Sequence, residues 1–132
     1  MPATIAAREK ITVGNETFIE GVSPVSHFSV VFEDNGETGY LYACDLSRSG
    51  DYIVDAMHIY NVENVSDKHL PSEVVIAWSA DGSKAGLWIN EYAHAVFDFT
   101  AKRGYCRTGF PPPGDGWGDT HEWDEDAEKL LD

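Results

Sequence analysis

The side chains best suited to chemistry in this chain are the carboxylates near its C-terminal end. Residues 115–132 contain eight acids and one base, Lys129, which gives a net charge of −7. The first 114 residues hold fifteen acids and eight bases, another −7, so that the two parts sum to −14. Negative charge of this density repels nucleic acid and anionic membranes and attracts basic protein surfaces. The chemistry that the sequence favours is electrostatic recognition of a basic partner.

The acids that would contact such a partner are concentrated in the tail, next to a tryptophan. A tryptophan on such a tail can anchor an interface, although we favour docking of the tail on its own sheet. Acids in predicted loops are secondary candidates. The predicted contact residues are Glu122, Trp123, Asp124, Glu125, Asp126 and Glu128 in the tail, and Asp34, Glu37 and Asp51 in the loops.

A single basic cluster, residues 102–107, supports an alternative interpretation. Arg103 and Arg107 would hold an anionic small molecule through forked hydrogen bonds, with Tyr105 alongside. The chain would then be a ligand-binding β-barrel. Such clusters more often pair with carboxylates of their own chain, and we favour that interpretation. Three positive charges are also too few for a nucleic-acid patch in so acidic a protein.

No pattern in the sequence identifies a reaction. Nucleophile elbows, phosphate loops and dinucleotide fingerprints are all absent from it. The histidines show none of the local spacings that bind a metal, and we expect ordinary half-exposed side chains. They are His27, His58, His69, His94 and His121. We therefore expect a protein without enzymatic activity, metal or cofactor.

The composition is that of one folded domain. Apolar residues make up 42% of the 132 positions, enough for a hydrophobic core. There is no apolar run long enough to cross a membrane and no signal-peptide pattern, so we expect a cytoplasmic protein. Cys44 and Cys106 are expected to be reduced thiols rather than a disulfide. The sequence does not define an oligomeric state.

Strands are the elements expected to position these side chains, because apolar residues alternate with period two between short turns. The clearest hairpin joins residues 27–33 and 38–45 around Asn35-Gly36, and a weaker one joins 10–13 and 17–22 around Gly14-Asn15. Residues 52–62 are apolar on both faces, which predicts a central strand. Residues 73–78, 84–89 and 93–100 predict a meander. Short connections require antiparallel pairing. We expect about six to eight strands in a mainly β fold, forming a curled sheet, a barrel or a sheet folded over itself.

The chain changes character at its end, which suggests an antiparallel β domain over residues 1–114 and an acidic tail over 115–132. Prolines and glycines in residues 110–118 exclude regular sheet. Asp119 or Thr120 would begin a helix of about ten residues. Its apolar stripe would consist of Trp123, Ala127, Leu130 and Leu131. So short an amphipathic helix is stable only when docked, either on its own domain or on a partner.

Residues 27–113 resemble a small family of uncharacterised bacterial proteins, a conserved domain of unknown function. The stretches that carry the resemblance are FSVVFEDNGETGYLYACD (residues 28–45), AMHIYNVENV (56–65) and HAVFDFTAKRGYCRTGFPPP (94–113). The resemblance implies a bacterial source. It assigns no activity and no functional residues.

Two functions are consistent with these patterns. In the first, the chain is a non-enzymatic acidic binding protein, similar to the immunity proteins and antitoxins that inhibit basic toxins such as nucleases, whose clefts are positively charged. In the second, it is a β-barrel that recognises a small anionic ligand through Arg103, Tyr105 and Arg107. We favour the first, because the charge of the whole chain supports it.

Overall fold

A computed structural model describes residues 4–131 of the chain. Residues 1–3 and Asp132, one of the eight tail acids, lie outside the described part. Within residues 4–131 there are nine strands and two short 3-10 turns, Val62–Asn64 and Ala127–Leu131. The strands are β1 (Thr4–Ile11), β2 (Thr17–Val22), β3 (Phe28–Asp34), β4 (Thr38–Asp45), β5 (Ile53–Asn61), β6 (Ser72–Trp78), β7 (Lys84–Ile89), β8 (Tyr92–Asp98) and β9 (Arg103–Cys106).

The strands form two antiparallel sheets. One is five-stranded, with the order β1-β6-β7-β8-β9, and the other is four-stranded, with the order β2-β3-β4-β5. The predicted mainly β, antiparallel fold is confirmed. Neither sheet formed by the described strands closes on itself, so the barrel alternative is wrong, and the nine strands exceed the expected six to eight.

The core lies between the two sheets and draws on both. Phe32, Leu41 and Met57 of the four-stranded sheet and Leu87 and Phe97 of the five-stranded sheet are each inaccessible to solvent. These residues alternate with outward-facing ones along their strands, as one-sided burial requires. Because the inner faces share one core, each sheet has a single outer face left, and the two outer faces differ.

Two groups of strands were predicted correctly from their turn residues and from the alternation of apolar and polar residues. The β3–β4 hairpin turns at Asn35-Gly36, with Asn35 N–H donating to Thr38 O at 3.1 Å. Strands β6, β7 and β8 pair in sequence order, as the predicted meander requires. In both cases a short polar turn separates alternating segments, so local sequence determines the pairing.

The predicted hairpin around Gly14-Asn15 is wrong. β1 pairs with β6, and β2 pairs with β3, so the two segments belong to different sheets. The chain crosses between the sheets because Ile11 and Ile19 both enter the common core. β5 is also an edge strand rather than a central one. The proline-rich segment lies along this edge, since Phe110 O accepts a hydrogen bond from His58 N–H at 2.8 Å and the centres of the two side-chain rings are 6.0 Å apart.

The predicted C-terminal helix is wrong as well. The structure has a five-residue 3-10 turn, Ala127–Leu131, in place of a helix of about ten residues. Asp124 Oδ1 accepts the Asp126 N–H at 2.8 Å, a local bond that competes with helix hydrogen bonding. Trp123 therefore precedes the turn. Among the described residues, no helix is long and apolar enough to cross a membrane.

Candidate partner-binding surfaces

The tail begins its path along the free edge of β9. His121 O accepts the Cys106 N–H at 2.9 Å, and Cys106 forms a parallel bridge with Glu122. The guanidinium of Arg103 donates to Thr120 O at 2.5 Å and to Glu122 O at 3.0 Å, and it also donates to Gly104 O. These bonds fix the tail backbone as an extension of the five-stranded sheet.

A buried Asp–His pair then ties the tail to the four-stranded sheet. His121 Nε2 lies 2.7 Å from Asp55 Oδ2, and its Nδ1 lies 2.5 Å from Pro111 O. Both side chains are almost fully buried, and Asp55 Oδ1 also accepts the Gly114 N–H at 3.3 Å. Each nitrogen of the ring therefore lies within hydrogen-bond distance of an oxygen atom. The pair holds β5, the proline-rich segment and the tail together.

The outer face of the five-stranded sheet is covered by the end of the tail. Ala127 and Leu131 are buried there against Val96, and Trp88 and Tyr105 pack around them. Trp123 and Leu130 complete the cluster. We call this the covered face. The four residues of the predicted helical stripe make these contacts, although the backbone that carries them is not an α-helix.

The acids of the tail point away from this cluster. All five predicted contact acids are exposed: Glu122, Asp124, Glu125, Asp126 and Glu128. Asp126 forms an ion pair with Lys129 at 3.1 Å, between two largely exposed side chains. Trp123, predicted as an interface anchor, is half-buried, with the guanidinium of Arg107 3.9 Å from its ring centre. The ring is thus part of the tail's attachment to the sheet.

The arginines of the basic cluster contact groups of their own chain. Arg107 Nε donates to Ala93 O at 2.9 Å, and its guanidinium stacks on Tyr92 as well as Trp123. Arg103 lies over Tyr105 at 4.0 Å. The predicted internal pairing therefore involves backbone carbonyls and aromatic rings rather than carboxylates. Arg103 contacts Tyr105, whereas Arg107 contacts the rings of Tyr92 and Trp123.

The three loop acids have different environments. Asp34 is 1% exposed and accepts hydrogen bonds from Gly14 N–H, Gly36 N–H and the Tyr60 hydroxyl at 2.8, 2.8 and 2.6 Å. Burial and this carboxylate raise the pKa of Tyr60. The Asp34 carboxylate thus connects the turns at Gly14 and Gly36 with β5. Because it is buried, its prediction as a contact residue is wrong. Glu37 and Asp51 are exposed.

The outer face of the four-stranded sheet carries a groove of about 450 Å³. Every lining residue comes from this sheet or from the loop between β4 and β5, and none comes from the tail. We call this surface the open face. Its residues are Phe18, Glu20, Val31, Glu33, Tyr42, Cys44, Leu46, Gly50, Asp51, Tyr52 and Ile53.

Sequence reasoning missed the open face, although the signal was present. The alternation that buries Phe32 also places Val31 on the outside of the same strand, and in β2 the residue facing away from the core is Phe18. Apolar residues on both sides of an alternating strand indicate that its outer side also has a role. For residues 52–62 the same pattern was interpreted as a central strand.

A second cavity, of about 330 Å³, opens at one end between the sheets. Its floor is aromatic, from Phe28, Phe99 and Trp117. The charged residues that line it are Arg48, Lys102, Asp45 and Asp115. Two positive and two negative charges give it no preference for an anion. Among residues 4–131 no group of three or more His, Cys, Asp or Glu side chains is arranged to hold a metal ion.

Comparison with known proteins identifies the family. The sequence matches a family described as an uncharacterized protein conserved in bacteria (DUF2251) over residues 11–132, and the chain belongs to it. The resemblance noted for residues 27–113 is confirmed and extends through the tail.

A curated relative is an uncharacterized protein of Haemophilus influenzae, 47% identical over 87 residues. The aligned part is 66% of this chain and 54% of the relative, so the chain spans about half the length of that protein. No solved structure matches the chain.

Proposed function

We propose that this protein is a non-enzymatic binding protein of the bacterial cytoplasm that captures a basic protein partner. In this proposal it acts like an immunity protein or antitoxin, which blocks a toxin such as a nuclease. The observation that carries the proposal is the tail: five exposed carboxylates stand on a backbone that is fixed to both sheets. Carboxylates at fixed positions form a defined binding surface, whereas charges that serve only solubility need no fixed position.

The anchoring matters because a partner need not order the tail when it binds. A flexible acidic segment loses conformational entropy on binding, which weakens affinity. In this protein the tail loses that entropy on folding, because Ala127 and Leu131 become buried and His121 pairs with Asp55. The carboxylates are therefore presented in advance to whatever they bind.

Most of the tail carboxylates also remain available for an ion pair with a partner. Lys129 is the one cation within 4.0 Å of a tail carboxylate in the described part of the chain, and it pairs with Asp126. Opposite-charge attraction at an exposed surface acts mainly on the association rate and on partner choice. The net charge of −14 extends this attraction over the whole protein.

Photo-cross-linking in living bacteria tests the proposal. A photoreactive phenylalanine analogue replaces Glu125 in the tail or, as a control, Glu63, which is exposed in the 3-10 turn after β5. We expect position 125 to cross-link to a basic protein that position 63 does not reach. Cross-links from both positions to the same mixture, or none from position 125, would contradict the proposal.

The salt dependence of the complex is the second part of this test. The affinity for the cross-linked protein is measured from about 0.05 M to about 0.5 M salt, a range over which exposed charges become screened. We expect affinity to fall steeply with salt. An affinity that does not change over this range would rule out electrostatic capture.

A further inference from the structure

We infer that the open face of the four-stranded sheet is a second surface on which the partner docks, in addition to the acidic tail. The segment that it accepts carries apolar side chains between lysines or arginines. The basic character of this partner rests on the proposed function. The apolar requirement comes from the open face itself.

The cross-strand register places the members of the open face side by side. Phe18 lies opposite Glu33, and Glu20 lies opposite Val31, which in turn lies opposite Tyr42. Directly opposed side chains on one face of a sheet have their Cβ atoms about 4.5–5.5 Å apart. The face is thus a continuous surface in which apolar and acidic side chains alternate.

Solvent exposure shows how much apolar surface is left uncovered. Phe18 is 68% exposed, Tyr52 49%, Ile53 45% and Leu46 40%. A single exposed apolar residue is normal on a protein surface, whereas a contiguous group marks an interaction site. On the opposite side of the molecule, comparable residues are buried under the tail.

The charge on the open face has one sign. Its members include the acids Glu20, Glu33 and Asp51 and contain no lysine, arginine or histidine. Glu33 is held in place by the Tyr42 hydroxyl, which donates to its Oε1 at 2.9 Å. Burial and then this carboxylate raise the pKa of Tyr42 to about 12, so the hydroxyl remains a donor. Apolar surface flanked by acids is complementary to an apolar segment flanked by bases.

The same charges disfavour a second copy of this chain as the occupant. Two open faces brought together would place Glu20, Glu33 and Asp51 of one copy against those of the other, and each copy has a net charge of −14. Like charges that meet in an interface cost several kcal/mol. The chain's own tail does not lie there either, because it occupies the covered face.

Amide chemical-shift mapping with synthetic peptides tests this inference on the full chain. The probe is a short peptide of alternating lysine and leucine. Two matched peptides replace lysine with glutamate or leucine with serine. We expect the lysine–leucine peptide to shift amides of β2 to β5 around the open face, with affinity at least tenfold higher than either matched peptide.

Paired variants locate the contact. Phe18→Ser with Ile53→Ser removes exposed apolar side chains from the open face, and Leu70→Ser with Val25→Ser removes equally exposed ones elsewhere. We expect the first pair to weaken binding of the lysine–leucine peptide at least tenfold and the second pair to leave it unchanged. Amide spectra of both variants establish that they remain folded.

The possible outcomes separate this inference from the proposed function. Shifts confined to residues 119–131 would overturn docking on the open face and leave electrostatic capture by the tail in place. Equal binding of the glutamate–leucine peptide would contradict the basic partner as well. Dimers in sedimentation that Phe18→Ser with Ile53→Ser dissociates would assign the face to self-association and overturn the inference.

Discussion

The two outer faces of this molecule start from similar sequence patterns and end in different states. On the five-stranded sheet, Val96, Trp88 and Tyr105 are covered by the tail. On the four-stranded sheet, Phe18 and Ile53 stay exposed, with acids among them. The difference shows that apolar residues outside a core have two uses. Some complete the fold through another segment of the same chain, and others stay exposed, where we propose that a partner docks.

The tail is the element that creates this difference. It covers one face with its apolar side chains and carries its acids on the other side of the same segment. The contacts that hold it are distant in sequence: Asp55 and His121 are 66 residues apart. Breaking those contacts should therefore turn the covered face into a second open one.

The largest expected effect comes from the buried pair. His121→Ala leaves Asp55 Oδ2 and Pro111 O buried without their hydrogen-bond partner. A buried polar group left unpaired costs about 1–3 kcal/mol, so the two together should cost about 2–6 kcal/mol. We expect that decrease in the free energy of unfolding, together with increased proteolysis in residues 115–131. Denaturant unfolding measures it. His69→Ala, at an exposed histidine, is the control. A loss below about 1 kcal/mol would mean that the pair does not hold the tail.

A pH effect of similar order is expected from His94, which lies beside Arg107 and Tyr92. Burial, and then the positive charge of Arg107, lowers the pKa of His94 from 6.5 to about 4. The unfolded chain takes up the proton at a higher pH than the folded protein does. The free energy of unfolding therefore has its full value above about pH 6.5 and decreases as the pH falls towards 4. The change is on the order of 3 kcal/mol.

Unfolding free energies measured between pH 7 and pH 4 check this prediction. The wild type should lose stability more steeply than His94→Gln, which cannot be protonated in this range. Parallel curves for the two proteins would show that His94 is not protonated differently in the folded and unfolded states.

One pair of substitutions compares the two faces directly. Leu131→Ala removes a buried side chain from the covered face and should cost about 2 kcal/mol. Phe18→Ala removes a side chain from the open face and should change stability by less than about 0.5 kcal/mol. Thermal unfolding of both variants measures the difference. Equal losses would mean that Phe18 is a structural residue, and the contrast between the faces would disappear.

Much of the fold could be predicted because it depends on neighbours in sequence. The Asn35-Gly36 turn and the alternation in β3 and β4 specify their own pairing, and so do the turns between β6, β7 and β8. The pairing of β1 with β6 could not be predicted. It depends on where Ile11 and Ile19 are buried after both sheets have formed.

The candidate surfaces were predictable only in part. The exposure of the tail acids could be predicted from their charge alone, because an exposed carboxylate needs no contact with another part of the chain. Asp34 was misjudged because an acid in a turn is usually exposed, whereas here three donors from separate segments surround it. His121 gave no local signal, since both of its partners come from other parts of the chain. The open face requires knowledge of which outer surface the tail covers.

Association rates with the cross-linked partner test the central claim most directly. One variant carries Asp124→Asn, Glu125→Gln, Asp126→Asn and Glu128→Gln. Its control removes four charges elsewhere, with Glu9, Glu16, Glu63 and Glu91 changed to glutamine. If the position of the tail acids guides recognition, the tail variant should associate more slowly, and with a weaker salt dependence, than the control. Equal rates for the two variants would show that net charge, and not the position of the charges, attracts the partner.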